Sequence, residues 1–201
     1  MRMLVVGGHT RNIGKSALVV DVIRALPEAA WTAVKITQYG HGVCSVHGEP
    51  CDCTPGEHAI AIDEERDRSN RTDTSRFLVA GARRALWMRC QQGHMAEAMP
   101  QLREALREAV NVVIESNTLL QFVRPELYLV VLDPRQEDFK ETARLLLNRA
   151  DAFVWRASLP GRPWLGVSPR LLEGRPMFFQ APGEALPGGL VALVRERVLG
   201  Q

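Results

Sequence analysis

The sequence predicts an α/β fold of three layers, a mostly parallel sheet flanked by helices. Three observations carry this. The segments that read as strands are near-continuous apolar runs, as in MLVV, NVVIE and LYLVVL, which suits strands buried on both faces. They alternate with longer amphipathic stretches, the pattern of crossover connections between parallel strands. The chain has 201 residues, so residues 1–201 form one domain able to bury a full core.

Element by element, residues 3–6 read as a strand and residues 16–26 as the helix after it, stopped by Pro27. A second strand falls at 31–37. From residue 38 to about 58 the periodicity fails in a Cys/His-rich inserted loop, and a loop of that length in a compact domain is commonly functional. Residues 57–68 read as a helix and 73–80 as a short one. Next come a strand at 84–90 and a helix at 95–109, in which QLREALREA supplies charge pairs from turn to turn. Strands follow at 111–115 and 127–132, a helix at 139–149, strands at 152–156 and 177–180, and a closing helix at 190–199. Gly and Pro between residues 160 and 176 mark an irregular excursion within the domain.

Composition narrows the function. Hydrophobic residues make up 46% and charged residues 24%, the balance of a soluble globular protein. The formal net charge of +2 is too small to argue for nucleic acid or a membrane surface as partner. No apolar run reaches the ~20 residues of a membrane span, and the opening LVV is too short for a signal peptide. The expected compartment is the cytoplasm, where the four cysteines are thiols or metal ligands rather than disulfides.

The most informative stretch is MLVVGGHTRNIGKSALVVDVIRAL. A strand runs into a glycine-rich turn that opens a helix, with Gly14, Lys15 and Ser16 at the junction. In such a loop the backbone amides converge on an anion at a helix N-terminus, the lysine bridges the outer phosphates, and the hydroxyl ligates Mg²⁺. The expected nucleotide contacts are Gly8, Asn12, Ile13, Gly14, Lys15, Ser16 and Ala17. His9 stands where the G-x-x-x-x-G-K-S pattern has glycine, and the preceding Gly7 and Gly8 let the tight turn begin one residue early. The acidic partner expected at a neighbouring strand end is Glu115, where a buried carboxylate calls for a cation; the alternative is a carboxylate just past the strand, facing water. Asp133, which closes LYLVVLDP, is a weaker candidate because Asp-Pro is also an ordinary turn starter.

Taken together these segments resemble the P-loop NTPases of the molybdopterin-guanine dinucleotide biosynthesis protein B (MobB) family. The loop comes first, VKITQYGHG is similar to that family's second strand, DTSRFLVAGARRALWMRC to its Asp-Ser-x-Arg helix and following strand, and VVIESN to its strand ending in Glu. The resemblance covers about the first two-thirds of the chain, and DTSRFLVAGA is its most specific part. It implies a P-loop NTPase fold and Mg²⁺ with ATP or GTP. It further implies weak hydrolysis, a homodimer, a role in attaching nucleotide to molybdopterin, and a molybdenum-cofactor enzyme or other maturation protein as partner. Gly14, Lys15 and Ser16 would ligate phosphate and magnesium, Lys15 and Glu115 would carry the catalysis, and Lys35, Asp73 and Arg76 would lie near the active face. Three features depart from the family: His9 in the loop, Glu115-Ser116 in place of Glu-Gly, and the added cysteine-rich loop. No Asn-Lys-x-Asp guanine-reading motif is present, so adenine and guanine both stay open. Read without the resemblance, Lys35 is also compatible with a solvated strand end, and Asp73 with a helix N-cap paired to Arg76.

The inserted loop gathers His41, Cys44, His47, Cys51, Cys53 and His58. Thiolates and imidazoles at such spacings suit Zn²⁺ or an iron–sulfur cluster, with Cys44, Cys51 and Cys53 as ligands and His47 or His41 as the fourth. Free thiols are the alternative there, and Cys90 reads as a small buried hydrophobe. The leading functional expectation is therefore a nucleotide-dependent enzyme or accessory NTPase of cofactor biosynthesis. A metal-delivery NTPase, a nucleotide-binding module without turnover, and a small-molecule kinase similar to dethiobiotin synthetase are the alternatives.

Overall fold

The computed structural model describes residues 1–40, 44, 59–157 and 164–201. Eight strands form one sheet: β1 (Arg2–Gly8), β2 (Thr32–Tyr39), β3 (Ile60–Glu64), β4 (Arg84–Gln91), β5 (Asn111–Glu115), β6 (Leu127–Leu132), β7 (Ala152–Trp155) and β8 (Met177–Phe179). Their order is β3-β4-β2-β5-β1-β6-β7-β8, parallel throughout except where β3 runs against β4. The helices are α1 (Lys15–Ala25), α2 (Asp73–Val79), α3 (Met95–Ala105), α4 (Glu141–Leu146) and α5 (Gly188–Val194).

Alternate side chains of each strand point to opposite faces, and each face carries its own core. On one face Leu4, Val6, Ala33, Val113, Leu129 and Val154 pack against α1, α2 and α5. On the other, Val5, Val34, Ile114, Val130 and Phe153 pack against α3 and α4. This is the expected three-layer architecture.

Four elements differ from expectation, each for a physical reason. Residues 57–68 were expected to be helical; Ile60–Glu64 is instead the antiparallel edge strand β3. Ile60 and Ile62 pack onto the core, and the strand's charges are matched across the ladder, Asp63 to Arg89 and Glu64 to Arg84. A helical charge pattern in DEERDR was outweighed by this pairing. The helix expected over 95–109 ends at Ala105, because Leu106 is buried and Arg107 N–H turns back to the carbonyl of Glu104. The one expected over 139–149 begins only at Glu141 and tightens into a 3₁₀ turn at Leu147–Arg149. The last helix starts at Gly188, and Arg195–Leu199 continues it as a π turn.

β1 lies at the centre of the sheet. The chain leaves it toward β2 on one side and later adds β6 on the other. In an open α/β sheet such a reversal leaves a crevice at the carboxyl ends of the strands. The glycine-rich loop stands at that crevice. No helix of the described residues is long and apolar enough to cross a membrane.

Candidate nucleotide-binding site

The loop is built by three constraints. First, the end of β1 must pass close to its neighbours. A Cβ on Gly7 would lie 2.3 Å from Asn117 Oδ1 and 2.5 Å from the Tyr128 hydroxyl, and one on Gly8 would lie 2.6 Å from Ile13 Cδ1. Asn117 fills the space thus left: its Oδ1 accepts from Gly8 N–H and its Nδ2 donates to the Gly8 carbonyl, both at 2.8 Å. Gly8, expected as a phosphate contact, therefore has its amide engaged within the protein.

Second, His9 stands at the glycine position of the G-x-x-x-x-G-K-S pattern without opening the loop. Its N–H still bonds the Val131 carbonyl at 3.2 Å, so the strand pairing runs one residue beyond Gly8. Its fully buried ring packs 5.2 Å from Phe139 and 4.9 Å from Trp164, with Nε2 3.3 Å from the Gln136 carbonyl. Burial holds this imidazole below the ordinary histidine range, against the opposing pull of its two backbone carbonyls. Phe139 is drawn into this aromatic contact, and the N–H of Lys140 bonds the His9 carbonyl at 2.8 Å, just before α4 begins.

Third, the tight turn of the loop does not begin early, at Gly7 and Gly8. The left-handed residues are Asn12 (φ 56°) and Gly14 (φ 90°), not Gly7 and Gly8. Gly14 precedes α1 with no side-chain cap, and no described residue accepts a hydrogen bond from the amides of residues 12–17. These orphan donors at a helix N-terminus form a cradle for an anion. Lys15 reaches back across the loop, donating from Nζ to the Thr10 carbonyl at 2.7 Å. Burial depresses its ammonium below the ordinary lysine range despite the nearby Glu115 charge.

With this geometry, the chain aligns over 89% of its length with LpxK from Aquifex aeolicus, a structure solved in complex with ATP, at a TM-score of 0.51 and 14% identity. The chain has the fold of a P-loop NTPase. It spans 53% of LpxK. Lower structural similarity is found to the MobB homologue of Bacillus stearothermophilus (TM-score 0.40, 15% identity, 89% of this chain and 88% of that one). Bacillus subtilis MobB is comparable (0.42, 14%, all of both chains). No protein-family profile matches the chain, and no curated protein matches its sequence.

Beside the P-loop stands an acidic corner. Ser16 Oγ donates to Glu115 Oε2 at 2.6 Å, and Glu115, at the end of β5, is 7% exposed, so it does not face water. Lys35 Nζ lies 3.8 Å from that carboxylate and in direct contact with Asp73. Asp73 is not the N-cap of α2. Thr72 caps the helix, its Oγ1 accepting from Ser75 N–H at 3.1 Å in a reciprocal capping box, and this leaves the Asp73 carboxylate free to turn toward Lys35 and toward Arg76, 3.3 Å away. Burial pushes Asp73 upward, but the Lys35 hydrogen bond and charge outweigh it and hold the carboxyl below its ordinary range. Asp133 stands apart, its carboxylate gripped by the Arg135 guanidinium at 2.8 and 2.9 Å in the turn after β6.

A cleft of about 1030 Å³ runs from the loop past Lys35, Thr37, Tyr39 and Gln92 to Thr118 and Lys140, roomier than a phosphate chain alone requires. Of the expected loop ligands, Cys44 is buried, while His41, His47, Cys51 and Cys53 lie outside the described residues, as does the neighbouring His58. Among the described residues no group of three or more His, Cys, Asp or Glu side chains is placed to hold a metal ion. Cys90 is buried at the end of β4 with its thiol 3.9 Å from Met95 Sδ.

Two supporting residues escaped the sequence reading. Asn117 carried a signal only in hindsight, as the second residue after Glu115. Arg156 stands at the end of β7, buried; it donates to the Gly14 carbonyl at 2.9 Å and to Gln180 Oε1 at 2.7 Å. A guanidinium so placed fixes the peptide that turns into α1, and nothing in AFVWRAS announces it.

Proposed function

We propose that the chain binds a nucleoside triphosphate with Mg²⁺ in the P-loop and transfers its outer phosphoryl group, to water or to an acceptor in the adjoining cleft. By its resemblance to the MobB family, the step belongs to the biosynthesis of a molybdopterin-guanine dinucleotide-type cofactor. One observation carries the nucleotide reading: a row of amides at the start of α1 with no acceptor among the described residues, and the Lys15 ammonium folded over it.

In this reading Lys15 exchanges the Thr10 carbonyl for phosphate oxygens and neutralises them, and the α1 amides hold the chain of phosphates in place. Ser16 and Glu115 would hold Mg²⁺, with Asp73 beside them. These are hard oxygen donors of the kind that cation takes together with substrate phosphates. The bound ion would offset charge on the phosphoryl oxygens. Asp73 is anionic near neutrality, so it serves as a charge and a hydrogen-bond acceptor.

The test is calorimetric titration of the protein with Mg-ATP and Mg-GTP, alongside phosphate release. Lys15→Ala is expected to weaken nucleotide binding by about a hundredfold, the worth of ~2.7 kcal/mol of charged hydrogen bonding, with thermal unfolding unchanged. Equal affinity in that variant would remove the P-loop reading. An acceptor is then sought by comparing phosphate release with nucleotide consumption.

A further inference from the structure

Lys35 occupies an unusual position. It sits on β2, and the ladder sets it directly beside Glu115 of β5. Its ammonium lies 3.5 Å from Ser16 Oγ, 3.8 Å from Glu115 Oε2 and in contact with Asp73 Oδ2. One ammonium thus stands among the three oxygen-bearing side chains to which the proposed function gives the magnesium ion.

We propose that Lys35 is an internal counter-ion of the metal corner: it keeps that corner closed to a free divalent cation, so the metal enters only together with nucleotide. This inference rests on the nucleotide reading above.

The physical argument has two halves. Glu115 is almost wholly buried and Asp73 half-buried, and two such carboxylates around one hydroxyl require a cation. In the nucleotide-free protein a strand-borne ammonium supplies it, as a compact charge on a flexible four-carbon stem. With Lys35 in place, a divalent ion arriving alone meets two carboxylates already offset by one ammonium, and it must displace that ammonium and shed water. Mg²⁺ dehydrates reluctantly and is held through one or two carboxylates together with substrate phosphates. A triphosphate brings the missing negative charge. It also gives the displaced Lys35 ammonium an anionic partner in the cleft that Lys35 itself lines. Metal and nucleotide binding are then positively coupled through one side chain.

The probe is Mn²⁺, titrated into nucleotide-free protein and followed by the loss of its free-ion EPR signal. Wild type is expected to bind weakly. Lys35→Met, which keeps the length and removes the charge, is expected to bind at least about tenfold more tightly, the minimum for removing a cation ~4 Å from the site. Lys35→Gln serves as a second neutral variant should the first unfold, Lys35→Arg should stay as weak as wild type, and adding Glu115→Gln to Lys35→Met should cancel the gain. The proposal falls if both neutral variants bind Mn²⁺ no better than wild type, or if Lys35→Arg gains as much as they do. Mg-ATP and Mg-GTP binding to the same proteins and to Lys15→Ala is measured in parallel. Failure of wild type to bind either one would overturn the nucleotide reading separately, because the Mn²⁺ comparison contains no nucleotide.

Discussion

His9 shows how one side chain can replace a glycine by moving where the loop turns. The imidazole is buried between Phe139 and Trp164 and held below its ordinary pKa, so the folded protein takes up a proton less readily than the unfolded chain. Stability is therefore full above the ordinary histidine value, near pH ~6.5, and declines as pH falls below it until the depressed folded value is passed. Thermal unfolding between about pH 5 and 7 should show this slope in wild type and a shallower one in His9→Phe. Lys15 follows a related logic on the binding side. Its ammonium is depressed by burial, and phosphate would restore the charge, so nucleotide affinity is expected to fall with rising pH, beginning below the ordinary lysine range. Titrations across the alkaline range check this, and Lys15→Arg should move the decline to higher pH.

Among the elements, the strand–loop–helix unit of β1 and α1 is held from outside. Asn117, following β5, grips Gly8 by both backbone groups, and Arg156, following β7, holds the Gly14 carbonyl. Two distant strands thus set the shape of a loop that is local in sequence. Gly7→Ala places a methyl group against Asn117 and Tyr128, well inside contact distance. It is expected to destabilise the protein by about 1–3 kcal/mol and to weaken nucleotide binding, because the Asn117 clamp must give way. Denaturant unfolding and calorimetry read the two effects separately. The element for which sequence reasoning failed outright is β3, where antiparallel pairing to β4 decided a segment whose charges suit a helix.

For the whole molecule, one sheet carries two cores, and stability is shared between them. Leu4 packs with α1, α2 and α5, and Ile114, on the adjacent strand, packs with α3 and α4. Leu4→Ala and Ile114→Ala are each expected to cost about 2–5 kcal/mol. Each should shift one and the same transition, because both sides of the sheet share its hydrogen bonds. Trp31 reports on the first core, and Trp155 and Trp164 on the second, so tryptophan fluorescence and circular dichroism should coincide. Separate transitions would show that the layers unfold independently.

Much of the candidate site's layout was legible because its signals are local. Gly14, Lys15 and Ser16 sit at a strand-to-helix junction, and an apolar strand ends in Glu115; both depend only on nearest neighbours along the chain. The layered fold was legible for the same reason, since apolar runs alternating with amphipathic ones fix what each element must bury. Which strands neighbour one another was decided by tertiary structure. The β2–β5 register brings Lys35 to Glu115, the Thr72 cap frees Asp73 to meet it, and Asn117 and Arg156 close on the loop from strands far away in sequence. Contacts of this kind depend on ladder register and chain crossing, which residue spacing does not encode.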